Sequence, residues 1–342
     1  MKRRLISILL IFCCLIISTF SHSSGDLDRA KNNLIVINRG DGTLSIIDTA
    51  SDQVMNTLEL PDSRNKSELE SALLISQTNR IYVSDRANNR IVVFDADNFS
   101  LVNIITVGGG VGHILAYAND NQLWVNNETD KTLTVIDLKD SKVIATISIP
   151  IDLKAYDNKT RFLLINNEAL YIALNGASQT NDLLLKLDRR TFQEIARARI
   201  DSNSHFIMSE NNDHLYLANQ GNNRIQILKR EDLTEVTSIK TPFTSEGLWI
   251  SPENQILYFV NNTHTENHSE FTFVSEAISN LSRHHTLSGA HSVINRKIYL
   301  PYSDSSEDKI AVYSISDKMP TLNLVGIISV GLNPIMTIPM QK

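Results

Sequence analysis

The chain has 342 residues, of which 42% are hydrophobic and 20% are charged, and its formal net charge is −6. This acidic balance argues against nucleic acid and anionic lipid as main partners. Both cysteines, Cys13 and Cys14, lie near the N-terminus. Cysteine nucleophiles, thiolate metal sites and disulfides are therefore excluded from the rest of the chain.

The first residues of the chain follow the three-part plan of a secretory signal peptide. Lys2 to Arg4 are basic, Leu5 to Ile17 are apolar, and Ser18 to Gly25 are mostly small and polar. We predict cleavage after Ser21 or Ser23 and an exported product, periplasmic or secreted. Subtracting the three basic residues from −6 gives that product a formal charge of −9. The alternative is a retained membrane anchor, but the apolar run is shorter than the ~20 residues of a spanning helix.

An apolar strand pattern, usually with a central aromatic residue, recurs seven times along the chain. The central residues, called anchors here, are Ile35, Tyr82, Trp124, Tyr171, Tyr216, Tyr258 and Tyr299. They step by 47, 42, 47, 45, 42 and 41 residues. A period in the low forties that carries only strand patterns indicates a β-propeller, in which each repeat forms one small twisted sheet. The sequence therefore predicts an all-β, seven-bladed β-propeller.

Each repeat is predicted to contain four short strands, with the anchor in the second. In four repeats the third strand begins nine residues after the anchor, which implies a tight hairpin. Longer hairpins are expected over Asn175 to Asp182, Asn262 to Ser269 and Ser303 to Lys309. The innermost strand of a repeat comes before the anchor strand.

The two ends of the repeat array complement each other. Asp26 to Asn33 is polar and offers the first repeat no innermost strand, whereas Pro334 to Ile338 follows the last repeat as a spare strand. We predict that this C-terminal strand pairs with the first sheet and closes the ring, which removes exposed sheet edges. Residues 26–342 are then a single domain without a membrane span. A β-sandwich or a split pair of sheets is the alternative, and it leaves the seven spaced repeats unexplained.

The repeat resembles the YVTN-repeat family of seven-bladed β-propellers. The likeness spans nearly all of Leu34 to Pro339 and rests on Tyr82-Val83-Ser84-Asp85, Trp124-Val125-Asn126-Asn127, Tyr216-Leu217-Ala218-Asn219, Leu133 to Asp137, and Ile104 to Gly108. The fourth and sixth repeats depart from the pattern, with stretched hairpins. The resemblance implies an exported or surface protein used for binding, and similar hubs carry haem, quinone or metal chemistry. Because nothing in the motif is catalytic, it implies a fold and not an activity.

Chemistry in such a fold is expected where the innermost strands begin, on the face that also carries the hairpins after the anchor strands. Aligning the innermost strands by their distance to the next anchor gives one equivalent position in the third, fifth and seventh repeats, occupied by His113, His205 and His291. Two further ionisable residues lie near that level in the sixth and fourth repeats, Glu246 and Arg161. The long hairpin of the sixth repeat adds His264, Glu266 and His268.

Three imidazoles that converge on a narrow channel could bind a divalent transition metal such as zinc, copper or iron. Glu246 could then serve as a fourth ligand or as a general base. The alternative is a wet channel whose polar lining satisfies neighbouring backbone groups. Ligands from separate repeats also lack the short spacing of a clustered metal motif.

The sequence favours a binding or scaffold protein over an enzyme, one that recognises a protein or small-molecule ligand through this face. Two alternatives stay open. One is a periplasmic metal-dependent lyase or lactonase that uses the three histidines, and the other is an accessory subunit of a periplasmic redox complex. The chain contains no Cys-x-x-Cys-His haem motif, phosphate loop or nucleophile elbow.

Overall fold

The computed structural model of the chain describes residues 33–61, 67–117, 121–149, 156–165, 168–176, 181–201, 207–210, 214–219, 222–241, 247–251, 256–265, 268–277, 292–294, 296–303, 308–315 and 322–340. These residues form seven small antiparallel sheets, and each sheet contains one anchor strand. The all-β class and the seven repeats predicted from the sequence are thus confirmed at the level of sheets.

The first three sheets each have four strands. The first sheet contains β1 (Asn33–Asn38), β2 (Thr43–Asp48), β3 (Gln53–Glu59) and the C-terminal β27 (Pro334–Pro339). The second contains β4 (Leu69–Ile75), β5 (Arg80–Asp85), β6 (Arg90–Asp95) and β7 (Leu101–Thr106), with a short 3-10 helix at Arg86–Asn88. The third contains β8 (Val111–Tyr117), β9 (Gln122–Asn127), β10 (Thr132–Asp137) and β11 (Lys142–Ser148).

The remaining sheets follow the same order. The fourth contains β12 (Tyr156–Ile165), β13 (Ala169–Gly176), β14 (Asp182–Asp188) and β15 (Glu194–Ile200). The fifth contains β16 (Ile207–Glu210), β17 (His214–Asn219), β18 (Arg224–Lys229) and β19 (Glu235–Lys240). The sixth shows three strands within the described ranges, β20 (Gly247–Ser251), β21 (Ile256–Thr265) and β22 (His268–Ala277). The seventh contains β23 (Ser292–Ile294), β24 (Lys297–Ser303), β25 (Asp308–Ile315) and β26 (Leu322–Ser329).

Burial falls from the anchor strand of a sheet to its outer edge. β1 is buried along its whole length, whereas β3 is almost entirely exposed, and β9 and β11 repeat the contrast in the third sheet. Anchor strands are buried on both faces because neighbouring sheets pack against them. The outer strands carry β-bulges in every sheet whose outer strand is described. Bulges of this kind bend an exposed edge away from pairing with another chain.

The hydrophobic core is divided among the seams between consecutive sheets. At three of the seams, an anchor shares an apolar cluster with a residue of the next sheet that has a positive φ in the turn before the outer strand. These pairs are Ile35 with Phe99, Trp124 with Phe192, and Tyr171 with Leu233. The ring centroids of Trp124 and Phe192 are 5.8 Å apart. One geometric rule therefore repeats from sheet to sheet.

The seventh and first sheets meet in the same manner. The Tyr299 hydroxyl donates a hydrogen bond of 2.8 Å to Asp52 Oδ1, and Asp52 is the positive-φ residue of the first sheet. β27 pairs antiparallel with β1, with Ile35 opposite Ile338. The pairing predicted for the C-terminal strand is confirmed.

The long hairpin expected over Asn262 to Ser269 is mostly paired strand. β21 and β22 stay hydrogen-bonded from Ile256 opposite Ala277 to Thr265 opposite His268. The long hairpin predicted there is present, and polar residues continue its ladder beyond the apolar part of β21. Within the described ranges, no helix has the length and apolar character needed to cross a membrane.

Candidate functional site

The face predicted to carry a site is defined here by the turns after the anchor strands and by the beginnings of the innermost strands. We call it the hairpin face. In the second sheet, Leu69 at the start of β4 lies opposite Asp85 at the end of β5. In the third sheet, Val111 at the start of β8 lies opposite Asn127 at the end of β9. The two kinds of segment are therefore adjacent, as the sequence suggested.

The residues proposed from the sequence are only partly within the described ranges. Four of them have a described backbone position without a described side chain: His113 in β8, Arg161 in β12, His264 in β21 and His268 in β22. The others lie outside the described residues: His205, Glu246, Glu266 and His291. Their grouping into one site stays a prediction. Among the described residues, no three His, Cys, Asp or Glu side chains are placed to hold a metal ion.

Counted from the innermost-strand residues that pair with the anchors, the three histidines have different sequence offsets, and their common position stays a prediction because His205 and His291 lie outside the described residues. The residues paired with the anchors of the third, fifth and seventh sheets are Leu115, Ser209 and Ser292. His113 precedes its reference residue by two positions, His205 by four and His291 by one. The number of residues to the next anchor does not identify equivalent positions in the innermost strands, because the turns between innermost and anchor strands differ in length. In addition, β8 has an irregular register between Val111 and Ile114.

The described part of the hairpin face carries a chain of alternating charges from three consecutive sheets. Arg39, Arg86 and Glu128 each stand four residues after an anchor, directly after β1, β5 and β9. Glu70 lies in β4. The Arg39 guanidinium forms an ion pair with Glu70, and Arg86 Nη1 donates a bond of 2.7 Å to Glu128 Oε2. We refer to these four residues as the charge chain.

The side chains of the charge chain are half-buried, with exposed fractions of 35% for Arg39, 18% for Glu70, 25% for Arg86 and 15% for Glu128. Burial raises the pKa of Glu70, and the opposing effects of Arg39 and Arg86 do not fully offset it. Burial alone lowers the pKa of Arg86, but Glu128 and then Glu70 raise it above its ordinary value. Carboxylates and guanidinium groups thus influence one another along the chain.

Glycines let the hairpin after β9 lie close against the start of β8. Gly110 has a φ of +70°, and an added Cβ would lie 2.3 Å from Thr129 Oγ1. An added Cβ at Gly112 would lie 2.8 Å from Glu128 Oε1. The Glu128 amide donates to the Gly110 carbonyl at 3.0 Å. The Glu128 carboxylate is therefore held beside Gly112, the residue that precedes His113.

One feature of the sequence could have predicted the charge chain. The position four residues after the anchor is charged in the first three repeats only. In the other repeats it is polar and uncharged, as Asn175, Gln220, Asn262 and Ser303. A change of residue type at one fixed position, confined to neighbouring repeats, predicts a localised site on one face.

Comparisons with known proteins bear on the fold. No family model matches the chain, and no curated protein sequence matches it. Among solved structures, the dihydro-heme d1 dehydrogenase NirN in complex with DHE is similar, with a TM-score of 0.63 and 12% identity over 91% of this chain and 76% of that one. A protein of unknown function from Desulfotomaculum acetoxidans gives 0.61 and 18% identity over 89% and 99%. A proposed 6-phosphogluconolactonase from Bacteroides uniformis gives 0.61 and 13% over 90% and 99%.

These similarities are to propeller-type folds, and at such identities they establish the fold alone. The chain therefore has a propeller-type fold built from small antiparallel sheets.

Proposed function

We propose that this chain is an exported, closed seven-bladed β-propeller that binds a protein or small-molecule partner through its hairpin face. The observation that carries the proposal is the charge chain, to which three consecutive sheets contribute. Apolar packing between the sheets does not require these four residues, since the seams are filled by separate clusters. Charged side chains gathered in one half-buried place on a rigid scaffold are typical of binding sites.

Ring closure belongs to this proposal and has two supports. β27 pairs with β1, and Tyr299 meets Asp52 by the contact rule that joins the other sheets. In a closed ring the hairpin faces of all the sheets share one side. His113, Arg161 and the paired end of β21 and β22 would then surround the same mouth as the charge chain.

Export is proposed from the basic, apolar and small-residue segments of residues 1–25, with 26–342 as one domain. No observation on the described residues favours a metal-dependent lyase, a lactonase or a redox subunit over a binding protein. The binding function is therefore the one that we put to a test.

The test compares partner capture by the wild-type protein and two charge-reversal variants. Arg86→Glu reverses a charge in the charge chain. Lys139→Glu makes the same change at an exposed residue in the turn between β10 and β11, which lies at the other end of these strands from the hairpin face. Each protein is immobilised and exposed to an envelope extract, and bound proteins and metabolites are quantified by mass spectrometry.

We expect a partner that wild type and Lys139→Glu retain equally and that Arg86→Glu loses. Thermal unfolding of both variants checks that they fold. Arg39→Gln, a third variant, neutralises a charge in the charge chain instead of reversing it. Identical bound material on all four proteins would overturn the assignment of the hairpin face.

A further inference from the structure

Several arginine side chains in the described part of the chain use one edge of the guanidinium group, formed by Nε and Nη2, to hold acceptors. In Arg224 this edge binds Asp201, with Nε 2.5 Å from Oδ2 and Nη2 2.9 Å from Oδ1. Arg197 binds Glu194 through the same two nitrogens. Two parallel N–H donors match the two oxygens of a carboxylate, which makes this edge the strongest arginine site for an oxyanion.

Arg86 is held from its other side. Its Nη1 donates to Glu128 Oε2 at 2.7 Å and to the Gly110 carbonyl at 3.4 Å. Its Nε and Nη2 have no hydrogen-bond partner among the described residues, and 25% of the side chain is exposed. The guanidinium is thus fixed in place while its carboxylate-binding edge stays open.

Arg39 does not share this property. Its Nε donates to the Leu69 carbonyl at 3.3 Å and its Nη2 pairs with Glu70, so the equivalent edge is occupied. Arg80 has an open edge too, but it lies at the other end of β5, and among the described residues it is held only through Nη1, 2.7 Å from the Ser141 hydroxyl. Arg86 is the arginine of the charge chain that is prepared for a ligand.

The neighbouring carboxylates restrict which oxyanions fit. Glu70 and Glu128 act on the charge of Arg86, so they repel a second negative charge on a ligand. Each has an oxygen, Oε1, without a hydrogen-bond partner among the described residues. These oxygens can accept from a hydroxyl or an ammonium group placed beside the ligand's carboxylate.

We propose that the open edge of Arg86 binds the carboxylate of a monocarboxylate ligand whose adjacent hydroxyl or ammonium group donates to Glu70 or Glu128. Hydroxy acids, amino acids and groups of that type on a larger partner have this chemistry. The inference rests on the proposed function and specifies the ligand class for the same site.

The probes are lactate, glycine, acetate and inorganic phosphate, each titrated into the full-length protein at constant ionic strength. Binding is followed by NMR on arginine labelled with ¹⁵N, and the Arg86 Nε resonance is assigned by its loss in Arg86→Lys. We expect lactate and glycine to shift this resonance, acetate to bind more weakly, and phosphate to bind most weakly.

A second measurement uses saturation-transfer NMR on the ligand, so that variants without the Arg86 signal can be compared. Arg86→Lys keeps the charge but lacks the two-donor edge, and we expect about tenfold weaker binding of lactate. Arg80→Lys should bind as wild type does. Phosphate as the best ligand, unchanged lactate binding in Arg86→Lys, or equal losses in both variants would overturn the proposal.

The two proposals fail in different ways. If Arg86→Glu loses a partner in the capture experiment while none of the small acids binds, the hairpin face stands and the ligand class is wrong. If lactate binds through Arg86 but partner capture is the same in all variants, the ligand class stands and recognition of a larger partner through this face is wrong.

Discussion

The seam between the seventh and first sheets and the seam between the second and third sheets follow one geometric rule with different chemistry. At the first of these seams, Asp52 accepts from the Tyr299 hydroxyl at 2.8 Å and from Lys297 Nζ at 2.6 Å. At the second, the equivalent turn residue is Ser141, whose hydroxyl accepts from Arg80 Nη1 at 2.7 Å and whose carbonyl accepts from Asn103 Nδ2 at 3.2 Å. The Tyr82 hydroxyl is buried there without a partner among the described residues.

The difference suggests where this fold needs polar contacts. Between the second and third sheets the chain runs directly from one outer strand to the next innermost strand. The first sheet instead receives its innermost strand from the other end of the chain. A charged acceptor at the outer end of that seam adds to the pairing of β27 with β1. Burial raises the pKa of Tyr299, and Asp52 raises it further, so the phenol stays protonated and keeps donating.

Each of the two seams has a glycine that packs closely on a buried asparagine, Gly331 on Asn38 and Gly108 on Asn127. Replacing these glycines should have the largest effect on the free energy of unfolding. An added Cβ at Gly331 would lie 2.6 Å from Asn38 Nδ2 and from Asp41 Oδ2, and one at Gly108 would lie 2.7 Å from Asn127 Cγ. We expect Gly331→Ala and Gly108→Ala each to lower the free energy of unfolding by about 2 kcal/mol, as overpacking does. Denaturant unfolding measures both.

The matched control is Gly326→Ala in the same part of the chain. A Cβ there would meet nothing closer than Val312 Cβ at 3.8 Å, so we expect almost no loss of stability. An equal loss at all three positions would contradict a role for close packing on the asparagine side chains, since the lower entropy of the unfolded chain with alanine would by itself raise stability.

Removing the hydroxyl of Tyr299 or of Tyr82 should affect stability differently at the two seams. Tyr299→Phe deletes a hydrogen bond to a charged acceptor and should cost about 1.5 kcal/mol of unfolding free energy. Tyr82→Phe deletes a hydroxyl that has no partner and should be neutral or slightly stabilising, because desolvation of that group is no longer required. Urea unfolding of the two variants gives the comparison directly. Similar losses would show that the Tyr82 hydroxyl has a partner.

Much of this architecture could be predicted from the sequence because the repeat is carried by buried strands. Each of the seven anchors lies in the strand next to the innermost strand of its sheet. The spare strand at Pro334 pairs with β1, as its position in the sequence suggested. Strand periodicity reports burial, and burial is strongest in these strands. The long hairpin of the sixth repeat is paired almost to its tip, because polar residues can extend a ladder without an apolar pattern.

The site could not be predicted as well because its parts come from different repeats. The equivalence of innermost strands depends on turn lengths, and β16, with four residues, leaves little pattern to align. Arg39, Arg86 and Glu128 share an offset of four residues from their anchors, but this offset does not show which of them contact one another or that Glu70 joins them. Their contacts depend on how consecutive sheets pack side by side, and the local periodicity of the sequence does not predict that packing.

The chemistry of the seam between the seventh and first sheets can be built into the seam between the second and third sheets. Ser141 has a φ of 52° and Asp52 a φ of 54°, so aspartate fits the backbone at both positions. In Ser141→Asp the new carboxylate should accept from Arg80 and from the Tyr82 hydroxyl. We expect a gain of about 0.5 to 1.5 kcal/mol in the free energy of unfolding.

A double-mutant cycle with Tyr82→Phe tests whether the gain comes from that hydroxyl. The gain should shrink when Tyr82 lacks its hydroxyl. A gain of the same size in both backgrounds would assign it to Arg80 alone.

The smallest effect is expected from Glu70, a polar contact between the first and second sheets that burial makes unfavourable. Because its pKa is raised in the folded state, the folded protein holds this proton more tightly than the unfolded chain does. Stability relative to Glu70→Gln should therefore fall as the pH rises from the ordinary value of 4.5 through the raised pKa. Arg39→Gln removes an opposing positive charge and should make this decline steeper. Urea unfolding of wild type and both variants between pH 4 and pH 7 measures the trend. If wild type instead gains stability over Glu70→Gln with rising pH, the ion pair with Arg39 outweighs burial, and this seam resembles the one between Tyr299 and Asp52.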